Sequence, residues 1–191
     1  NRNRVITMAK RPRGSGWGIQ AWLSFNLEVS RSGNWSKSGS VVTLTMASAH
    51  NLQPGFGVHL LFAGTGAPNN DYYTVVSTPS STSFTVSVTT GTGSSGTFSN
   101  HLTVMDSFNI AKALRLAVGT TQIVFETPFA NAYYSVSSTP VARAPGLDPS
   151  QHTMMVLVDV PTVSGVTVRN VTSSNFAADL AFTSVQFCGR Q

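Results

Sequence analysis

Short stretches in which apolar and polar residues alternate recur along almost the whole chain. The segment 82-TSFTVSV-88 alternates hydroxyl residues with Phe84 and Val86. In 122-QIVFE-126, Ile123 and Phe125 lie on the face opposite to Val124. A period of two residues is typical of a strand with one buried face. The strands predicted from this pattern are 21–27, 41–46, 58–62, 72–77, 83–88, 122–126, 132–137, 154–158, 166–171 and 179–187.

The segment 110-IAKALRLA-117 fits two structures. Its residue types favour a helix, whereas alternation places its residues on the two faces of a strand. Because Ser107-Phe108-Asn109 precedes it and the strand 122–126 follows, we expect the first strand of a hairpin with its turn at 118–121. We expect Leu114 and Leu116 to be buried in the core and Ala113 and Arg115 to lie on the other face.

The predicted strands are separated by short segments rich in Gly, Pro, Asn, Ser and Thr, such as 67-APNN-70 and 144-APG-146. No segment reads as a long helix with capping residues. Many short strands at this spacing are typical of a β-sandwich or a β-barrel. The sequence therefore predicts an all-β protein.

The middle of the chain differs in composition from its flanks. Residues 31–100 are richest in Ser, Gly and Thr, and they begin with 32-SGNWSKSGS-40 and end with 91-GTGSSGTFSN-100. Gly/Ser-rich edges are typical of flexible connections at which one domain is inserted into a loop of another. We therefore expect a small β module at 31–100, inserted into a domain made of 18–30 and 101–191.

Charged residues make up only 10% of the chain, against about 25% in a typical soluble protein, and apolar residues make up 41%. Ser, Thr, Gly and Asn take the place of the charges. Surfaces of this kind are common in β-rich extracellular and virion proteins.

The net charge of +5 comes from the first residues of the chain, because the remaining basic residues equal the seven acidic ones. A nucleic-acid-binding face would spread Lys and Arg over the folded body, so we expect no nucleic-acid partner. Residues 1–17 are either a solvated linker or an arm that docks on an acidic surface of a partner. The basic residues of this arm are Arg2, Arg4, Lys10, Arg11 and Arg13.

The single cysteine, Cys188, excludes a disulfide within the chain. Its apolar neighbours predict a buried free thiol. There is no apolar run of about 18 residues, so no membrane-spanning segment is expected.

Two parts of the sequence resemble proteins of tailed bacteriophages. Residues 38–97 look like a small β module that recurs in phage virion proteins: a Val/Thr strand at 41–45, a His-x-Leu-x-x-Gly turn at 50-HNLQPG-55 and a Thr-Ser-Phe-Thr-Val strand at 82–86. The strand 58–62 and the Tyr-Thr-Val strand 73–75 lie between them.

The second resemblance joins segments on both sides of this module. The segments 21-AWLSFN-26, 107-SFNI-110 and 125-FETPFANAYY-134 resemble a tail-fibre domain in which an Ala-Trp-Val-x-Phe-Asn strand is followed closely by Ser-Phe-Asn-Val. Here about eighty residues separate the two SFN segments, and the module fills the gap. The resemblance implies an antiparallel β-sandwich fibre-tip domain that assembles as a homotrimer.

Histidines and carboxylates occur in the chain, but not at the sequence spacing of known metal-binding or catalytic motifs. The four histidines show no metal-ligand spacing, and there is no nucleophile elbow or phosphate-binding loop. We therefore expect no metal, no cofactor and no catalysis, and we expect His50 to shape the turn before Leu52. Glycan cleavage would require a pair drawn from Glu28, Asp71, Asp106, Glu126, Asp148, Asp159 and Asp179.

Aromatic and amide side chains in the inserted module are better candidates for function. Trp or Tyr rings stack on sugars while Asn and Asp bond to their hydroxyls. The alternative is that Tyr73 packs in the core and that 69–70 is only a turn. We also expect Trp22 and Phe25 to be core or subunit-interface residues. The candidate receptor contacts are Trp35, Asn69, Asn70, Asp71 and Tyr72.

These observations predict a non-catalytic virion fibre protein, located on the particle surface, that attaches to a host-surface glycan and contacts itself and other virion proteins. The alternative is a structural virion component, such as a decoration, collar or adaptor subunit. In that case the arm 1–17 would dock on neighbouring virion proteins. A glycan-cleaving enzyme is the third class.

Overall fold

A computed structural model describes residues 18–27, 31–141, 153–172, 177, 179 and 182–190. These residues form an all-β protein, as predicted, and contain no helix. The basic arm 1–17 with Arg2, Arg4, Lys10, Arg11 and Arg13 lies outside them. The strands are β1 (Gly18–Asn26), β2 (Arg31–Ser38), β3 (Val41–Met46), β4 (Gly57–Ala63), β5 (Asp71–Ser80), β6 (Ser83–Ser87), β7 (Ser95–Phe108), β8 (Ile110–Ala117), β9 (Thr120–Phe125), β10 (Ser135–Val141), β11 (Thr153–Leu157), β12 (Gly165–Thr172) and β13 (Phe182–Gly189).

Six antiparallel strands close into a barrel in the order β7-β2-β3-β6-β5-β4, and β4 pairs with β7 to complete the circle. Because the barrel is closed, each of its six strands is paired on both sides within it. Alternate side chains fill the interior, as in β3, where Val42, Leu44 and Met46 point inward. This barrel core also holds Trp35, Leu52, Val58, Leu60, Phe62, Val75, Phe84, Val86, Val88 and Phe98.

The other strands form two sheets beside the barrel. The C-terminal half of β7 pairs with β1, which gives the order β10-β13-β1-β7, and a separate sheet has the order β11-β12-β9-β8. Both sheets contribute to one apolar cluster, the two-sheet core. Its members include Leu23, Phe25, Leu102 and Phe187 from the first sheet and Ala113, Ile123, Phe125 and Val168 from the second.

Two segments expected to be flexible connections are strands. Residues 31–38 are β2, and β7 begins at Ser95, inside the predicted connection 91–100. Two of the glycines that suggested flexibility, Gly33 and Gly96, are required by packing. A Cβ at Gly96 would lie 2.2 Å from the Ala63 carbonyl oxygen and 2.7 Å from Trp35 Nε1. Because β7 continues through residues 100 and 101, the division of the chain into domains stays a prediction.

The segment 110–117 is the strand β8, as predicted, and it forms a hairpin with β9. The expected burial of its faces is wrong. Ala113 is fully buried opposite Ile123, whereas Leu116 is 57% exposed. A register irregularity between Arg115 and Ala117 changes the direction of the side chains at the end of β8.

Candidate functional site

Three loops meet at the end of the barrel where β7 begins. At the other end of the barrel, β7 leaves it to pair with β1. The three loops are the β2–β3 turn 39–40, the β4–β5 loop 64–70 and the β6–β7 loop 88–94, and we call them together the loop end. Backbone hydrogen bonds join them: Val88 N donates to the Ser40 carbonyl over 2.7 Å, and Gly93 N donates to the Gly66 carbonyl over 2.7 Å. The loop end is therefore one connected surface.

Two glycines allow these loops to approach each other closely. Gly66 and Gly91 have φ angles of +67° and +83°, which L-residues with side chains rarely adopt. A Cβ at Gly91 would also lie 2.7 Å from the backbone nitrogen of Pro68, and one at Gly66 would lie 2.7 Å from that of Gly93. The Gly-rich composition of 88–94 thus specifies one packed conformation.

Lys37 ties the loop 88–94 to the barrel. Its Nζ donates to the carbonyl oxygens of Thr90, over 2.8 Å, and of Gly91. Charge-assisted hydrogen bonds of this kind are stronger than those between neutral groups. The loops themselves contain no charged residue. The surface they present consists of hydroxyl, amide and backbone groups, with exposed side chains at Ser40, Thr65, Asn69, Asn70, Thr89, Thr92 and Ser94.

The structure places two of the predicted receptor contacts at the loop end. Asn69 is exposed, its backbone nitrogen donates to Thr90 Oγ1 over 3.1 Å, and its carbonyl accepts from the Tyr73 hydroxyl over 2.6 Å. Asn70 is also exposed, and its Oδ1 accepts from the backbone nitrogen of Phe62 over 2.6 Å. Asn70 therefore shapes the loop, while the side-chain amide of Asn69 bonds to no other described residue.

Two other predicted contacts lie on the outer wall of the barrel, where the wall faces β8. Asp71 Oδ1 lies 3.4 Å from Lys112 Nζ. Tyr72 covers Gly57 and packs against the two-sheet core, and burial raises the pKa of its hydroxyl to about 12. These two side chains join the barrel to its neighbouring sheet rather than extend the loop end.

The expectation that Trp35 lies in an exposed loop, where it could contact a receptor, is wrong. Trp35 lies in β2 instead of a loop, and only 1% of it is exposed. Its ring packs edge-on to Phe62 with centroids 5.9 Å apart, and Nε1 donates to the Ala63 carbonyl over 3.1 Å. The Ser residues near it in sequence face outward from the strand, and Gly33 is close-packed against the neighbouring backbone.

A polar cluster lies at the junction between the barrel wall and β8. The Arg115 guanidinium forms two contacts with the Asp179 carboxylate, at 3.2 Å and 2.6 Å, and Asp179 Oδ1 also accepts from Gly119 N over 2.7 Å. His59 Nδ1 accepts from the backbone nitrogen of Arg115 over 3.2 Å. Since β8 is the edge strand of its sheet, this bond satisfies a backbone group that an open edge would expose.

Two histidines at this junction have lowered pKa values. Burial lowers the pKa of His59, and the nearby His101 lowers it further. Burial and the charge of Arg115 lower the pKa of His101. Sequence reasoning missed this cluster, because Arg115 is 56 residues from His59 and 64 residues from Asp179, and no motif joins them.

His50 shapes its turn, as predicted. Its Nδ1 accepts from the backbone nitrogen of Leu52 over 2.9 Å, and Nε2 lies 2.9 Å and 3.1 Å from the carbonyl oxygens of Ser80 and Ser83. The ring therefore acts as a fixed connector between the β3–β4 and β5–β6 loops.

No known protein family, curated protein or solved structure matches the chain. Within the described residues no helix is long and apolar enough to cross a membrane.

Proposed function

We propose that this chain is a non-catalytic fibre protein on the virion of a tailed phage, and that it attaches the particle to the host surface through the loop end of the barrel. In this proposal, residues 18–30 and 101–191 form a β-sandwich fibre domain that assembles as a homotrimer. The sequence resemblances suggest this class, and the all-β fold with its low charge is compatible with it.

The observation that carries the proposal is the preorganised, charge-free surface of the loop end. Its loops are fixed by hydrogen bonds, by Lys37 and by glycines with positive φ, so ordering them on binding would cost little. Hydroxyl and amide groups donate and accept hydrogen bonds, which suits the dense hydroxyls of a glycan. Asn69 and Thr92 are exposed there and available to such a ligand.

The attachment of the barrel to the remaining strands also supports a role in adhesion. β7 belongs to both parts, and the Arg115–Asp179 and Lys112–Asp71 ion pairs join β8 to its surroundings. A receptor-binding element that must hold a particle requires a firm connection to the body that bears it.

Binding of the labelled protein to a panel of bacterial strains, and to polysaccharides extracted from them, tests this function. We expect selective binding that Asn69→Arg and Thr92→Arg abolish, because each places a long charged side chain on the loop end. Ser81→Arg is the matched control, since Ser81 is an exposed hydroxyl residue in the loop at the opposite end of the barrel.

Four outcomes would overturn parts of the proposal. If no strain is bound, or if the loop-end variants bind as well as the control, attachment through the loop end is refuted and a structural virion role becomes the better explanation. Loss of polysaccharide on incubation would refute the non-catalytic part. A stable mass near the 20.2 kDa of a single chain in light scattering would refute the trimer.

A further inference from the structure

The outward face of the sheet β10-β13-β1-β7 carries a pair of aromatic side chains. Trp22 on β1 is directly opposite Phe108 on β7. Ala21 and Leu23, the neighbours of Trp22 in β1, are fully buried in the two-sheet core, so Trp22 points to the other side of the sheet. Phe108 is 54% exposed. The pair therefore lies on an outer surface, on the face of the sheet opposite to the core.

Polar side chains continue the cross-strand row to which this pair belongs, and they also form the next row. Gln186 on β13 is opposite Trp22, and it is exposed. In the next row, Ser24 is opposite Asp106 on one side and Ser184 on the other. Asp106 is exposed, and its Oδ1 accepts from the backbone nitrogen of Ser107 over 2.9 Å.

We propose that this face is a saccharide-binding surface that takes a neutral sugar chain laid across Trp22, Phe108, Gln186 and Asp106. A sugar ring has an apolar face of C–H groups and a rim of hydroxyls. The first packs on an aromatic ring, and the second bonds to amide and carboxylate groups. Because neighbouring strands are about 4.8 Å apart, Phe108, Trp22 and Gln186 extend over about 10 Å.

The charge of the face selects a neutral sugar over an anionic one. Asp106 is the only charged side chain on the described outward positions of the four strands, and no Lys or Arg lies among them. A sulfated or uronic acid polymer would meet a carboxylate without a compensating cation. A neutral hydroxyl can instead donate to Asp106.

The composition of the face also distinguishes a sugar from a second copy of the chain. The cores of subunit interfaces are apolar and poor in Ser. Here hydroxyl side chains on three strands accompany the aromatic pair, and they outnumber the apolar pair Ile19 and Cys188 on the same face. The hydroxyl residues are Ser24, Ser135, Ser137, Thr139 and Ser184. Many hydroxyls around two rings suit a ligand that itself carries many hydroxyls. The surface includes no loop-end residue, so it would bind independently of the proposed receptor contact.

Titration of the full chain with hexasaccharides of glucose, mannose and N-acetylglucosamine tests the proposal, with calorimetry and tryptophan fluorescence as readouts. We expect at least one hexasaccharide to bind and to change the fluorescence. Trp22→Ala and Phe108→Ala should each weaken binding about tenfold, which corresponds to about 1.4 kcal/mol. Val76→Ala removes an apolar side chain that is 58% exposed on the barrel strand β5 and should have no effect.

Further variants keep the test decisive. If Trp22→Ala does not fold, Gln186→Ala on the exposed surface gives the same readout. Ser81→Arg, in the β5–β6 loop of the barrel, should leave sugar binding unchanged. The proposal is refuted if none of the three hexasaccharides binds, or if binding is insensitive to Trp22, Phe108 and Gln186. It is also refuted if Phe108→Ala converts an oligomer into monomers, because the face would then be a subunit interface.

Discussion

Replacement of Trp35 by alanine tests whether the barrel is built as described. Trp35 is among the largest fully buried side chains of the protein, and its ring contacts Phe62 while its indole nitrogen donates to Ala63. If Trp35 were a surface receptor contact, its loss would reduce binding and leave stability unchanged. If it is a core residue, its loss must destabilise the barrel.

The expected cost follows from the packing around the ring. Removing a buried Trp or Phe side chain costs about 3–5 kcal/mol, and the cost is larger where the site cannot collapse. Here the backbone of Gly96 lies against one side of the ring, and Gly64 approaches it as well. Neither glycine has a side chain that could move into the space. We therefore expect about 4–5 kcal/mol, a large part of the stability of about 5–15 kcal/mol that is typical of a domain.

Urea unfolding followed by circular dichroism measures this cost. Trp35→Phe should cost about 1–2 kcal/mol, since it keeps an aromatic contact with Phe62 and loses the hydrogen bond to Ala63 and part of the ring volume. Tyr133→Ala, an exposed control, should change the free energy of unfolding by less than about 0.5 kcal/mol. A value below about 1 kcal/mol for Trp35→Ala would show that the barrel core does not contain this ring.

Three further predictions concern the junction and the loop end. Since the folded-state pKa values of His59 and His101 lie below the ordinary 6.5, the unfolded chain binds protons first on acidification. The stabilising contribution of the neutral rings is therefore complete above about pH 6.5 and decreases as the pH falls towards the folded-state pKa values. Urea midpoints measured against pH should show this slope, and His59→Gln should reduce it; an unchanged slope would contradict the assignment. Asp179→Asn should lower the free energy of unfolding by about 1–3 kcal/mol, because it leaves a half-buried guanidinium without its anion. The same loss in a chain that already lacks Arg115 would exclude this explanation. Lys37→Met should cost about 1 kcal/mol and accelerate amide hydrogen exchange in residues 88–94, but not in the barrel core. Equal exchange in both proteins would show that Lys37 does not hold the loop.

The sequence was informative where burial and alternation coincide. The strand around Val42 and Leu44 was predicted with its observed bounds, because one face is apolar and turn residues flank it. The strand β2 was missed, since its outward positions are Ser and Asn and its inward positions include Gly33 and Lys37 beside Trp35. When glycine takes an inward position beside a large ring, the strand shows no regular alternation of apolar and polar residues in its sequence.

The candidate site was predictable only in part. Asn69 and Asn70 lie in a polar loop that composition alone identifies, and both are exposed there. The position of Trp35 depends on Gly96 and Ala63, which are distant in sequence and meet it only in the closed barrel. The histidine and ion-pair junction depends in the same way on tertiary contacts between strands far apart in the chain, which local patterns cannot encode.

The long strand β7 has a mechanical consequence. It pairs with β2 and β4 near its beginning and with β1 near its end, so at least one other strand is paired with it along nearly its whole length. A pulling force applied at the loop end and directed along β7 would load these hydrogen bonds together in shear, rather than opening them one after another. Tension between the two ends of the protein would therefore pass along a single covalent strand, without depending on a hinge between the barrel and the sheets.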